Sequence, residues 1–111
     1  MLICLSLVLT VITKPKRQTG EVWILNKGDK EILRGEIEIC GQLIYFDSLK
    51  SSTYKSFIFH VNSDSHYKII LDFSSGKRLA RELGYVTNGL NFRDTLIVTN
   101  GDIIYKHESL K

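Results

Sequence analysis

The chain has 111 residues, of which 43% are hydrophobic and 24% are charged, and its formal net charge at pH 7 is +3. This length allows one domain, and the composition is that of a globular protein rather than a disordered one. Much of the excess positive charge lies at the two ends of the chain. The middle therefore lacks the concentrated basic stripe that nucleic-acid-binding domains show.

The chain begins with an apolar run, Met1–Ile12, that no charged residue interrupts. The run is shorter than the roughly 20 residues of a transmembrane helix. It has the length of a signal-peptide core, but no basic residues precede it and no small-x-small cleavage site follows it. Three interpretations stay open: a membrane anchor that starts further upstream, an atypical signal or anchor, and a buried first strand. We expect residues 1–13 to be a hydrophobic anchor or signal-like segment.

A basic cluster follows the apolar run and contains Lys14, Lys16, Arg17 and the single proline, Pro15. The proline marks the end of the apolar segment, so we expect a basic linker over residues 14–20. The positive-inside rule would keep this cluster in the cytoplasm. Export of the domain that follows would therefore require further positive charge upstream.

Residues 21–111 contain short apolar runs separated by turns rich in Gly, Asn and Ser, as in antiparallel β-structure. The predicted strands are 21–25, 32–40, 42–46, 57–61, 67–73, 77–83, 95–99 and 102–106. In the second run Leu33, Ile37 and Ile39 share one face. Glu36 and Glu38 occupy the other face and are expected in solvent. The pattern predicts an all-β fold, a small antiparallel β-sandwich of about seven strands with immunoglobulin- or transthyretin-like architecture.

Two hairpins are predicted from neighbouring runs. Residues 57–61 and 67–73 alternate on either side of a polar turn and offer aromatic cross-strand pairs. Residues 95–99 and 102–106 flank Asn100-Gly101, the preferred pair for a type I′ turn.

The segment 77–83 has two interpretations. Ser75 would cap a short helix with Leu79 and Leu83 on one face, or the same residues would alternate as a strand. Seven residues are few for a helix, and strands precede and follow the segment, so we expect a strand.

No residue pattern predicts catalysis, because no Ser-His-Asp or Cys-His arrangement can be inferred and the sequence has no GxSxG or P-loop motif. His60 and His66 flank one turn and, with Asp64, would form a surface metal site if they faced each other. Solvated histidines are the commoner case, so we predict no metal and no cofactor. Cys40 is expected to be a buried thiol that makes no disulfide with Cys4.

The segment Gly84–Gly89 is the strongest candidate for a binding loop. It places Tyr85, Thr87 and Asn88 between two glycines, which allow unusual backbone conformations. The competing interpretation is structural, with the Tyr85 ring buried at a sandwich corner. Trp23 and Phe92 likewise fit either the core or an exposed patch.

The runs Tyr67–Phe73, Ser75-Gly76-Lys77 and Leu83–Gly89 and the closing strand resemble a family of small uncharacterised bacterial proteins. Ile24-Leu25-Asn26 is similar to the end of their first strand. The resemblance implies an N-terminal transmembrane segment and a compact extracytoplasmic β-domain, with no implied activity. The short apolar run and its basic flank depart from the family pattern.

Together these features predict a non-catalytic interaction or accessory module. We expect the N-terminal segment to hold it at the inner membrane, with the domain facing the periplasm or cell exterior and binding an envelope protein. The alternative is a soluble cytosolic β-barrel that binds nucleic acid through Lys77, Arg78, Arg81 and Tyr85. Clustering of those cations with exposed aromatic rings on one sheet face would favour the alternative.

Overall fold

The computed structural model describes residues 18–89 and 91–110, and these fold into eight β-strands. The strands are β1 Thr19–Asn26, β2 Ile32–Ile39, β3 Gln42–Leu49, β4 Tyr54–His60, β5 Ser65–Phe73, β6 Arg78–Val86, β7 Asn91–Val98 and β8 Ile103–Leu110. The predicted all-β fold is confirmed. The predicted anchor over residues 1–13 lies outside the described residues. β1 is longer than expected and includes the last two residues of the predicted linker.

The strands form two four-stranded sheets packed face to face. Sheet A has the order β4-β1-β7-β8, and sheet B has the order β3-β2-β5-β6. Neighbouring strands are antiparallel except β1 and β7, which are parallel. This is the β-sandwich that the spacing of the apolar runs predicts.

The core lies between the sheets because each strand turns alternate side chains inward. Phe59 contacts Tyr67 and Phe92 edge to face, with ring centroids 6.2 and 5.8 Å apart. Phe92 therefore belongs to the core. Cys40 is buried as expected, and its Sγ lies 3.4 Å from the carbonyl oxygen of Ser63.

The hairpin predicted from residues 57–61 and 67–73 is wrong. β4 pairs with β1 at the edge of sheet A, whereas β5 lies between β2 and β6 in sheet B. Alternation identifies the buried face of a strand but carries no information about its neighbour. The connection after β4 crosses between the sheets instead of turning back within one.

The hairpin predicted from the last two runs is confirmed as β7 and β8, but its turn is not of type I′. Neither Asn100 nor Gly101 has a positive φ. The Thr99 N–H donates to the Asp102 carbonyl oxygen at 2.9 Å, and the Asp102 N–H donates to the Thr99 side-chain oxygen at 3.2 Å. The side-chain oxygen of Asn100 accepts the Asp29 N–H at 2.8 Å, so a tertiary contact holds the turn in this form.

The segment 77–83 is a strand as expected and forms most of β6. In β2, Glu36 and Glu38 are half-buried on the outer face. Leu33 was expected to share the buried face of Ile37, yet it is 50% exposed. The pairing register shifts between Ile32 and Arg34, and this irregularity buries Ile32 in place of Leu33.

Asn26, at the end of β1, is a fully buried polar residue that joins two connections. Its side-chain nitrogen donates to the carbonyl oxygens of Lys30 and Leu49 at 2.9 and 3.0 Å. Its side-chain oxygen accepts the Gly28 N–H at 3.0 Å. The amide thus satisfies backbone groups that would otherwise be buried without partners.

We expect Asn26→Ala to lower the free energy of unfolding by about 3 kcal/mol, because three buried hydrogen bonds are lost together. Urea denaturation measures the change. Asn62→Ala is the control: its side chain is exposed in a turn, and its effect should stay below about 0.5 kcal/mol. Equal effects of the two substitutions would contradict the assigned role of Asn26.

Candidate functional site

Hydrogen bonds connect the predicted binding segment, Gly84–Gly89, to Asp64 and Gln18. Tyr85 is 60% exposed, and its hydroxyl donates to Asp64 at 3.0 Å. The Asn88 N–H donates to the other carboxylate oxygen of Asp64 at 2.8 Å. Both hydrogen bonds lower the pKa of the Asp64 carboxyl below its ordinary value, and the bond from Asn88 makes the larger contribution. Thr87 is exposed. The structural interpretation that buried the Tyr85 ring is wrong.

This segment lies where the chain enters β1. The Gly89 N–H donates to the side-chain oxygen of Gln18 at 2.9 Å. The Val61 N–H donates to the backbone oxygen of the same Gln18 at 3.0 Å. Tyr85, Thr87 and Asn88 therefore lie at the end of the sandwich where β1 begins.

The core contains a buried carboxylate that the amino-acid sequence did not predict. Asp94 on β7 is fully buried. The hydroxyl of the fully buried Tyr67 on β5 donates to Asp94 at 2.6 Å. On the other side, Nδ1 of His107 on β8 lies 2.6 Å from the second carboxylate oxygen. In a strand, Asp94 shares one face with the apolar Phe92 and Leu96, and this spacing indicates that it points inward. The predicted strand, 95–99, began one residue too late to include it.

The tyrosines of this array are held in the neutral form. Burial, reinforced by the hydrogen bond to Asp94, raises the pKa of Tyr67 far above its ordinary value. Burial and the nearby Asp94 charge raise the pKa of Tyr105 to about 12. The Tyr105 ring packs on Gly84, where an added Cβ would lie 2.7 Å from a ring carbon. At neutral pH Tyr67 is therefore a hydrogen-bond donor that bridges the two sheets.

The metal site considered for His60 and His66 does not form, since the hairpin that would have joined them is absent. The backbone N–H of His60 donates to Gln42 at 3.0 Å, and Nε2 of His66 lies 3.1 Å from Glu82. Within the described part of the chain, no cluster of three or more His, Cys, Asp or Glu residues is arranged to hold a metal ion.

The cations of the nucleic-acid alternative are engaged with nearby groups. Arg78 pairs with Asp72 at 2.7 Å, and Arg81 pairs with Asp102 at 3.2 Å. Because the two arginines are three residues apart on one strand, they face opposite sides of sheet B. Lys77 reaches a backbone oxygen at 3.5 Å. Arg78 and Arg81 therefore do not form one basic cluster on a single sheet face.

The outer face of sheet A carries a line of apolar side chains across all four strands. The pairing register places Leu25 of β1 opposite Tyr54 of β4 and beside Ile97 of β7, which in turn faces Ile104 of β8. Tyr54 is 57% exposed and Ile104 is 49% exposed, whereas Leu25 and Ile97 are half-buried. We call these four residues the apolar row.

Trp23 extends the apolar row on the same face. Its ring stacks on Tyr54 with centroids 4.8 Å apart and an interplanar angle of 15°. The guanidinium of Arg93 lies 5.6 Å from the Trp23 ring and pairs with Glu21 at 2.6 Å. The Arg93 hydrogen bond, with a smaller contribution from the Trp23 side chain, lowers the pKa of Glu21. Trp23 thus belongs to an outer surface rather than to the core.

The outer face of sheet B mixes ion pairs with exposed apolar side chains. Arg78 pairs with Asp72, and Lys68 lies 3.9 Å from Glu82. Leu43 and Tyr45 are its exposed apolar residues on β3. Both outer faces carry ion pairs, but in sheet B Glu36 of β2 lies between Tyr45 and Ile70, so the apolar side chains there form no continuous line across the strands.

No helix long and apolar enough to cross a membrane occurs within residues 18–89 and 91–110.

Alkaline pH should destabilise the chain through Tyr67. The pKa of Tyr67 is raised in the folded state, so above pH about 10 the unfolded state loses this proton while the folded state keeps it. The stability contribution is complete below that pH and falls by about 1.4 kcal/mol per pH unit above it.

We therefore expect Tyr67→Phe to lower stability at pH 7 by about 1–3 kcal/mol, because Asp94 loses a donor. The variant should also show a shallower loss of stability above pH about 10 than the parent chain. Urea denaturation at several pH values measures both effects. Tyr45→Phe on the exposed face is the control, and parallel pH curves for the parent and Tyr67→Phe would contradict the assignment.

No protein-family model matches the chain, and no curated protein matches it. Among solved structures, the chain is similar to the NMR structure of a protein from Eubacterium rectale, with a TM-score of 0.56 and 12% identity. That match covers 85% of this chain and 92% of the other. At this identity the likeness shows the fold alone.

A non-hemolytic pneumolysin from Streptococcus pneumoniae gives a TM-score of 0.43 at 10% identity, over 86% of this chain and 24% of that chain. Listeriolysin O gives a TM-score of 0.40 at 13% identity, over 86% of this chain and 23% of that chain. The chain thus spans about a quarter of the length of these two proteins.

Proposed function

We propose that this chain is a non-catalytic interaction domain that binds a protein partner through the apolar row and Trp23. In this proposal the N-terminal segment holds it at the inner membrane, with the domain facing the periplasm or cell exterior. The observation that carries the proposal is the line of apolar side chains across the outer face of sheet A.

An outer sheet face in contact with water alone normally carries polar side chains. Here Tyr54 and Ile104 are about half exposed and connect through Leu25 and Ile97 into one patch. Contiguous exposed apolar surface marks interaction sites. Tryptophan, tyrosine and arginine also dominate binding energy at protein interfaces, and the stacked Trp23 with its neighbours has this composition.

The apolar row lies away from the proposed tether. The chain enters β1 at Thr19, and Leu25 is six residues further along the strand, or about 20 Å. A domain held through its N-terminus would present this end of sheet A outward. The segment with Tyr85 and Asn88, at the opposite end, would lie nearer the membrane.

The charges around the row favour an acidic partner. Glu21 and Glu108 on this face both lie near Arg93, at 2.6 and 3.8 Å. Lys27, which continues β1 past the row, is exposed and makes no ion pair within the described residues. A partner that combines apolar side chains with carboxylates would match this surface.

A photo-crosslinking amino acid at position 54 should capture a partner protein in membranes of the native cell. The same group at position 45, on the outer face of sheet B, should not. Ile104→Ser should remove most of the adduct at position 54, because apolar contact area is lost at the row. Leu43→Ser is the matched control, since Leu43 is 53% exposed and Ile104 is 49% exposed. Equal capture at both positions, or no effect of Ile104→Ser, would refute binding through the row.

Location needs a separate test. The full chain with a C-terminal reporter that is active only outside the cytoplasm should give activity in the membrane fraction. An inactive reporter on a soluble product would contradict the tether while leaving the crosslinking result to decide the binding surface.

A further inference from the structure

β8 is an edge strand of sheet A, and its free backbone groups can be assigned from the hydrogen bonds of its turn. The Thr99 N–H donates to the Asp102 carbonyl oxygen, so Asp102 turns its backbone groups toward β7. Because these directions alternate along a strand, residues 104, 106, 108 and 110 also point toward β7. Tyr105, His107 and Ser109 therefore direct their N–H and C=O groups to the open edge.

We propose that two copies of this chain associate through β8, paired antiparallel about a two-fold axis at His107. His107 then lies opposite His107 of the second copy, and Tyr105 lies opposite Ser109 of the second copy. All three direct backbone groups to the open edge, so the register satisfies the antiparallel hydrogen-bond pattern. The result is a continuous eight-stranded sheet made from both copies of sheet A.

In this register the outward side chains of β8 lie opposite complementary side chains of the second copy's β8. Lys106 faces Glu108 of the second copy, and Glu108 faces the second Lys106. Ile104 faces Leu110, and the symmetry repeats this apolar pair. Ile104 and Leu110 are both exposed, at 49% and 40%. Opposite charges and paired apolar residues across neighbouring strands are stabilising, whereas like charges directly opposite are destabilising.

Neighbouring registers lose this match. A two-fold axis at Lys106 would place lysine against lysine and Ile104 against Glu108. An axis at Glu108 would place glutamate against glutamate and Lys106 against Leu110. An axis between two residues would oppose a backbone group that points to the edge with one that points to β7. Charged side chains normally protect an edge strand from pairing, and here they favour the register centred on His107 over its neighbours.

The pairing goes beyond the proposed function, because it requires neither the membrane nor the partner. An axis perpendicular to the sheet keeps both outer faces on the same side. The two apolar rows would then lie on one continuous surface.

Charge exchange tests the register. The full chain is purified in detergent, and sedimentation velocity measures its dimer dissociation constant. Lys106→Glu and Glu108→Lys should each raise the constant about tenfold, since each replaces two attractive pairs by two repulsive ones. The double variant K106E/E108K should restore the constant to within about threefold of the parent. Lys68→Glu, on the outer face of sheet B, is the control and should have no effect.

Hydrogen exchange gives a second measurement. The amides of Tyr105, His107 and Ser109 should gain protection as the protein concentration rises, because dimerisation buries them in new hydrogen bonds. A monomer at concentrations up to about 100 µM would overturn the proposal. So would a dimer indifferent to the single charge reversals, which would place its contact elsewhere in the chain. Neither result changes the outcome of crosslinking at position 54.

Discussion

The buried carboxylate of Asp94 is the constraint on which the arrangement of the two sheets depends. A charged group in a protein core must be matched by hydrogen bonds, since its desolvation is otherwise too costly. Here one partner, Tyr67, comes from sheet B, and the other, His107, comes from the edge strand of sheet A. The array works only if β5, β7 and β8 keep their relative positions. It therefore adds a directional requirement to apolar packing, which by itself is tolerant of small displacements.

The fixed core leaves the two outer faces free to differ. Sheet B carries ion pairs on its outer surface, such as that between Arg78 and Asp72, beside the exposed Leu43 and Tyr45. Sheet A instead places Trp23 and the apolar row where water would be the only neighbour of a monomer. Ion pairs in solvent contribute little to stability, and their role on either face is to keep the surface soluble. The continuous apolar row of sheet A has no such explanation within the domain, and for this reason we propose it as the interaction surface.

The amino-acid sequence predicts the strands well and their partners poorly. Alternation is local, so β6 and the hairpin of β7 and β8 could be read from residues close together in the chain. The separation of β4 from β5 into different sheets could not, because period-two alternation is the same whichever strand lies alongside. Asp94 shows the same limit: its inward position follows from Phe92 and Leu96, but the partners Tyr67 and His107 come from other strands. The apolar row could not be predicted from the sequence either, because Leu25, Ile97 and Ile104 are brought together only by the pairing register of strands that are distant in the chain.

The same array bears on the edge of sheet A. An edge strand is held on one side only and is usually the part of a sheet that opens first. In β8 the inward side chains Tyr105 and His107 are tied to the core, through Gly84 and Asp94 respectively. This restraint holds the backbone of β8 in extended form before any partner arrives, and pre-organisation of this kind reduces the entropic cost of association. The residue that closes the buried array, His107, is also the residue at the proposed two-fold axis. Stability of the core and pairing at the edge would thus depend on one short stretch of β8.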